Sequence, residues 1–189
     1  FLERHTELLD EYFRESYSRS IVGPQMHMEK NPCAFLALGG YGRGEQCLHS
    51  DVDLLLLFQK KVPEGADELV REIVYPLWDI GLEVGYATRS LKESQKLGGE
   101  DYEVLTSMMD ARFLCGFSSL YSELMQSLRT RVLEKQARTF LSWLAKRTRD
   151  RHQAHGDSTY LLEPNIKEGQ GGLRDYHAIT WMALTRHRT

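Results

Sequence analysis

A chain of 189 residues with 24 Lys and Arg against 27 Asp and Glu, and a formal net charge of −3, can bury a sizeable core and lacks the basic excess of a general nucleic-acid binder. That speaks against a template-using polymerase. Cys33, Cys47 and Cys115 are far apart with no C-x-x-C spacing, so they imply reduced thiols and no zinc site; with no secretory signal pattern and no apolar run near the roughly 20 residues of a membrane span, a cytoplasmic protein is expected.

Leu2, Leu9, Phe13 and Tyr17 share one helical face, predicting an amphipathic N-terminal helix that ends before Gly23-Pro24. After a loop rich in methionine and turn residues, Cys33 to Leu38 reads as a short buried strand running into Gly39-Gly40-Tyr41-Gly42-Arg43-Gly44. Glycines here let the backbone turn sharply and bring amide N–H groups close to an anion, the more so if Tyr41 to Cys47 forms a helical turn, and Arg43 adds a charged fork for phosphate oxygens. Ser50 and Asp51-Val52-Asp53 follow, then Leu54 to Phe58, apolar on both faces as an interior strand requires. Strand alternation sends Asp51 and Asp53 to one face and Val52, Leu54, Leu56 and Phe58 to the other. Carboxylates this close repel, and a hard divalent cation, Mg2+ or alternatively Mn2+, relieves the repulsion. Phosphate donors beside metal ligands make a nucleotide site.

Pro63-Glu64 opens a helix through about Tyr75, with Leu69 and Ile73 facing in, and Pro76 is expected to kink or restart it before Gly81. In the next strand, Leu82 to Thr88, Glu83 lies between Leu82 and Val84 and points away from the face they bury. Ser90-Leu91-Lys92-Glu93 matches a capping box for a helix ending near Gly98-Gly99. Another helix runs from about Asp101 to Ala111, followed by a short segment through Cys115-Gly116. From Ser119 the pattern is helical, with Tyr121, Leu124, Leu128 and Val132 on one stripe and Phe140, Leu141 and Leu144 on another. Basic residues between Arg129 and His155 read more simply as a solvated helix face than as a phosphate or acidic-partner surface, and no histidine has metal spacing. In the loop Glu163 to Asp175, Asn165, Lys167, Arg174 and the glycines 169, 171 and 172 can surround an anion ahead of a helix that packs Ile179, Met182 and Ala183 inward; an interdomain turn is the equal alternative.

Gly39-Gly40 followed by Ser50-Asp51-Val52-Asp53 resembles the signature of DNA polymerase β-like nucleotidyltransferases, a Gly-Ser turn ahead of a metal-binding Asp-x-Asp, with Gly40 where many members carry serine. Without that hydroxyl, phosphate grip falls on backbone amides and Arg43. LEVGYATRS at Leu82–Ser90 and YLLEPNIKEGQGGLRDY at Tyr160–Tyr176 narrow the resemblance to the nucleotidyltransferase region of the bacterial PII uridylyltransferase/uridylyl-removing family, over nearly the whole chain.

The resemblance implies an α+β fold: a polymerase β-like core with a small mixed sheet flanked by helices at residues 31–117, after an N-terminal helix and linker at 1–30, and a helical domain at 118–189 completing the nucleotide and acceptor site. It implies Mg2+-dependent transfer of UMP from UTP to a tyrosine hydroxyl of the PII signal protein, releasing pyrophosphate, in nitrogen regulation, with no nucleic-acid template and no membrane. Asp51 and Asp53 then hold metals, and Glu83, matching a hydrophobic-acid-hydrophobic third motif, completes the acidic trio; a solvent-facing strand glutamate is the plain alternative, and Asp79, at a helix end, the rival acid. Gly39, Gly40, Arg43 and Ser50 belong on this reading to the nucleotide site, with Asn165, Lys167 and Arg174 added from the second block. Competing readings are a nucleotidyltransferase using ATP or another protein acceptor, and a nucleotide-binding regulatory module without turnover, against which the three acids speak. A chain opening at Phe1 and stopping at Thr189 reads as part of a longer one, and the resemblance implies phosphohydrolase and small-molecule sensing domains downstream.

Overall fold

Seven consecutive residues, Val52–Phe58, form strand β2, and every one except Asp53 is buried. Only a central strand covered on both faces tolerates that composition. The computed structural model describes residues 2–22, 30–155 and 165–187, and places β2 in a four-stranded sheet of order β3-β2-β1-β4. β1 (Cys33–Ala37) is antiparallel to β2 and to β4 (Arg112–Gly116), while β3 (Val84–Ser90) runs parallel to β2 from Val52↔Val84 to Phe58↔Ser90. This is the mixed sheet of the expected α+β class. The expected helix stop at Gly23-Pro24, the methionine-rich loop and the Tyr160–Pro164 part of the second block lie outside the described residues.

Helix α1 (Leu2–Arg19) buries Thr6, Leu9, Asp10 and Phe13 at helical spacing, whereas Leu2 is 41% exposed and stands off the expected face. Together with α3 (Ala66–Asp79) it packs on the sheet face that carries Cys33, Phe35 and Ala37 of β1 and Val52, Leu54, Leu56 and Phe58 of β2. Burying one such leucine contributes about 1.5–3 kcal/mol, so this layer dominates the stability of the sheet. Burial pushes the Cys33 and Cys115 thiols up to about 12, consistent with unreactive core sulfurs. On the opposite face Ala34, Leu36, Leu55 and Leu57 are also fully buried, and α4 (Leu91–Glu100) and α6 (Ser118–Ser127) contact β3 and β1.

Several boundaries differ from the sequence reading. α3 neither stops at Tyr75 nor restarts at Pro76 but runs through the proline to Asp79. Pro76 removes one helical hydrogen bond, yet Leu77, 3% exposed, extends the apolar face of Leu69, Val70, Ile73 and Val74 beyond it, and that burial offsets the loss. β3 begins at Val84 rather than Leu82 because pairing with β2 starts there, and Asp51 lies just outside β2. The capping box at Ser90 forms in full: the hydroxyl accepts from Glu93 N at 3.2 Å and the Glu93 carboxylate accepts from Ser90 N at 2.8 Å. Its helix carries Gly98 and Gly99 within it and ends at Glu100, and α5 spans Tyr102–Met109 with Asp101 as N-cap.

The chain divides into two compact units, Phe1–Ser127 and Leu128–Thr189. In the second, a π-helical turn (Leu128–Leu133) leads into α7 (Glu134–Ala154), and α8 spans Leu173–His187. The inward face of α8 is His177, Ala178, Trp181 and Thr185; Ile179 is 65% exposed and Ala183 is also exposed, so the expected Ile179–Ala183 stripe is out of phase. Arg129, Arg131, Lys135, Arg138, Lys146, Arg147 and Arg149 are exposed, as a solvated face requires. Among the described residues no helix is long and apolar enough to cross a membrane.

Candidate active site

Asp53 is the one exposed residue of an otherwise buried strand, and the backbone around it is shaped to approach it. Leu38 N donates to Asp53 O at 2.9 Å, tying the end of β1 to the acid-bearing strand just before the helical turn α2 (Gly39–Gly42). Gly39 has φ +52°, and a Cβ there would stand 3.2 Å from Asp53 Oδ2. From the β3 side, a Cβ on Gly85, which pairs with Asp53, would stand 3.3 Å from Oδ1. Glycine backbone thus approaches the carboxylate closely on both flanks, where any larger residue would crowd its oxygens.

Parallel pairing carries the alternation across strands. Val52 and Val84 are partners facing the core, Asp53 and Gly85 are partners on the opposite face, and Val52 N donates to Glu83 O at 2.8 Å, aligning Glu83 beside Asp51. Asp51, Asp53 and Glu83 are exposed, and all three line one cavity of about 450 Å³ with Trp78, Leu82, Val84 and Gly85. Asp79 is not among the residues lining it. Among the described residues no three His, Cys, Asp or Glu side chains are grouped closely enough to hold a metal as they stand. The donor set still fits Mg2+. That ion takes oxygen ligands, keeps several of its waters and is normally held by one or two carboxylates together with substrate phosphates.

The glycine turn is braced from behind. Asp10 of α1 accepts from Tyr41 Oη at 2.8 Å and from Arg112, which in turn donates from Nε to Gly42 O at 3.2 Å and from a terminal nitrogen to Tyr41 O at 3.1 Å. Burial, reinforced by the Asp10 charge, raises the Tyr41 phenol above its ordinary range, so it stays a donor. Arg43 is held by two carboxylates, Asp110 at 2.6 Å and Glu45 at 2.7 Å, so its guanidinium braces the turn rather than standing open beside it. Ser50 is exposed, and its carbonyl accepts from Gln46 Nε2 at 2.6 Å. Gln46, 1% exposed, also reaches Asp51 O at 3.4 Å and so fixes the loop that delivers Asp51. Neither Gln46 nor the Asp10–Arg112 pair was legible beforehand, because a loop glutamine has no periodicity and the ion pair joins residues remote in sequence.

In the second unit the residues expected to surround an anion are engaged with one another. Asn165 Oδ1 accepts from Lys167 N at 3.1 Å and Glu168 N at 2.9 Å, and Arg174 Nε donates to Glu168 at 3.4 Å. Lys167 is exposed. Asp175 accepts from Arg151 and from Gly171 N at 2.7 Å and faces His152 Nε2 at 2.9 Å. Burial works against the Asp175 charge, but these donors outweigh it and hold the carboxyl below its usual range. Asn165 thereby braces the turn, and Arg174 is engaged with Glu168.

A four-stranded mixed sheet with a glycine turn feeding a carboxylate pair at the head of its central strand is the architecture of a polymerase β-like nucleotidyltransferase core. Comparison with known proteins agrees: residues 2–89 match the DUF294 nucleotidyltransferase family and residues 139–189 the GlnD PII-uridylyltransferase family. The chain is 40% identical over 182 residues to the bifunctional uridylyltransferase/uridylyl-removing enzyme of Nitrobacter winogradskyi, covering 95% of this chain and 20% of that protein. With the namesake enzyme of Rhodospirillum rubrum it shares 43% identity over 148 residues, 78% of this chain and 16% of that protein. The chain belongs to the nucleotidyltransferase region of the GlnD uridylyltransferase family, and spans about a fifth of the length of these relatives.

Proposed function

We propose that this chain carries out Mg2+-dependent transfer of UMP from UTP to a tyrosine hydroxyl of a PII signal protein, releasing pyrophosphate, in the cytoplasm. The observation that carries the reading is the setting of Asp53: one exposed carboxylate on a buried strand, approached closely by the glycine backbone of Gly39 and Gly85, in a cavity shared with Asp51 and Glu83. The names of the matching proteins support the donor and the acceptor.

Asp51, Asp53 and Glu83 would hold the metal, which when bound neutralises the triphosphate and polarises the α-phosphate for in-line displacement. The remaining work falls to the chain itself. Gly39 and Gly40 present the backbone of the turn to the β- and γ-phosphates, where charge on the departing pyrophosphate makes the contacts stronger in the transition state than in the ground state. Asp10 and Arg112 keep that turn in place from the protein side.

Asp53→Asn tests the reading with labelled UTP, PII protein and Mg2+. Because Asp53 is exposed at the head of its strand, the variant should fold normally, while losing several kcal/mol of transition-state stabilisation, at least about a hundredfold in rate. Near-normal transfer by the folded variant would falsify the assignment.

A further inference from the structure

One wall of the acidic cavity is a tryptophan. Trp78, near the end of α3, is 40% exposed although its indole Nε1 is fixed by a 3.0 Å hydrogen bond to Val84 O, the residue after Glu83. Its ring centroid lies 4.8 Å from that of Tyr75 and 6.1 Å from that of Tyr86, both also exposed by more than a third. Arg71 caps the row with its guanidinium 5.8 Å from the Tyr75 centroid. Arg71, Tyr75 and Trp78 recur at helical spacing on the outward side of α3, where a helix ordinarily carries polar residues. Three rigid aromatic rings held open to solvent in contact with one another are a recognition surface rather than misplaced core.

Its position decides what it recognises. The sheet order β3-β2-β1 puts the glycine turn on the β1 side of Asp53, and Gly85 and Trp78 on the β3 side. In-line displacement requires the attacking oxygen to approach from the side opposite the departing pyrophosphate. With the phosphates on the glycine turn, the acceptor must enter from β3, past Trp78. We infer that Trp78, with Tyr86 and Tyr75, is the docking surface for the acceptor, stacking on the aromatic ring whose hydroxyl is to be modified and on the chain beside it. A tyrosine ring is the chemistry such a surface takes on edge or face at a centroid separation of about 4.5–7 Å. Transfer itself is the reaction already proposed: the acceptor O–H gives up its proton to solvent water, its oxygen bonds to the α-phosphorus, and the bond from the α-phosphorus to the bridging oxygen breaks, its electron pair leaving with pyrophosphate. This inference rests on that reading of the site.

The test measures acceptor binding apart from turnover. Fluorescently labelled PII protein is titrated with the wild-type chain, Asp53→Asn, Trp78→Ala, Trp78→Phe and Tyr86→Ala without nucleotide or metal, and KM values for PII protein and for UTP are then determined. Trp78→Ala should weaken PII binding and raise its KM at least tenfold while changing the KM for UTP less than twofold; Trp78→Phe, which keeps a ring but not the Val84 hydrogen bond, should recover most of the loss. Tyr86→Ala, for which no bond to the strand is at stake, should weaken binding severalfold. Unchanged PII binding in both alanine variants, or a rise confined to the KM for UTP, would overturn the inference and in the second case give the rings to the nucleobase. Trp78-dependent PII binding by a chain that transfers no nucleotide would uphold the docking surface and remove the transferase reading, so the two fail separately.

Discussion

Replacing Asp10 by Ala strikes the brace behind the glycine turn. The Asp10 side chain is 9% exposed and accepts from Tyr41 Oη at 2.8 Å and from two nitrogens of Arg112, one at 3.1 Å. Without it the Arg112 charge and the Tyr41 hydroxyl both lose their partner in a largely buried setting. Breaking such a pair from one side costs about 3–5 kcal/mol. Arg112 keeps its two carbonyl acceptors and its side chain is 31% exposed, which places the loss near the lower bound, about 3 kcal/mol. Asp10→Asn retains an acceptor for Tyr41 and should cost less, about 1–2 kcal/mol. Urea unfolding at constant slope reads these differences from the midpoints, and against a total of about 5–15 kcal/mol they are large. The double variant Asp10→Ala/Arg112→Met should be more stable than the sum of its parts, since no charge is then stranded. A cost below about 1 kcal/mol for Asp10→Ala, the range of an exposed ion pair, would refute the brace.

Other outcomes follow from neighbouring features. Glu83→Gln should depress turnover much more than Asp79→Asn with little change in triphosphate binding, because only Glu83 lines the cavity; steady-state kinetics giving the reverse order would move the third acid to the helix end. Gly42→Ala would place a Cβ 2.1 Å from Asp110 O and 3.0 Å from Ala37 O, both backbone, and should cost at least about 3 kcal/mol by thermal unfolding. Hydrogen bonds from the Ser90 amide and hydroxyl hold the Glu93 carboxyl below its ordinary range. Its folded-state value being depressed, the stability it contributes is present above the ordinary glutamate value of about 4.3 and is lost as pH falls through the lower folded value; Glu93→Gln should flatten that part of an acid titration, and an unchanged profile would count against the cap as its source.

The strands were readable wherever composition was extreme. Leu54 to Phe58 announces burial on both sides, Ser90 and Glu93 announce a helix start, and Asp53 stands exposed on the face opposite Val52 and Leu54. Legibility failed where tertiary packing overrides local preference: Pro76 stays inside α3 because Leu77 is needed in the core, and α8 turns His177, Ala178 and Trp181 inward instead of Ile179. Arg43 illustrates the limit for the site. A guanidinium beside a glycine turn looks like a phosphate fork in one dimension, and only the fold brings Asp110 from another helix end to engage it.

The distance along the chain between paired elements also sets an order of assembly. Asp53 and Glu83 belong to a β-α-β segment, Val52 through Ser90, whose strands pair Val52 with Val84 and Phe58 with Ser90, whereas the Asp10–Arg112 bond closes a longer loop of 102 residues. Closing that longer span costs more entropy than closing the segment between β2 and β3. The carboxylate-bearing ladder is therefore expected to form in the rate-limiting step of folding and the brace behind the glycine turn to lock afterwards, so that Asp10→Ala speeds unfolding while leaving the refolding rate nearly unchanged.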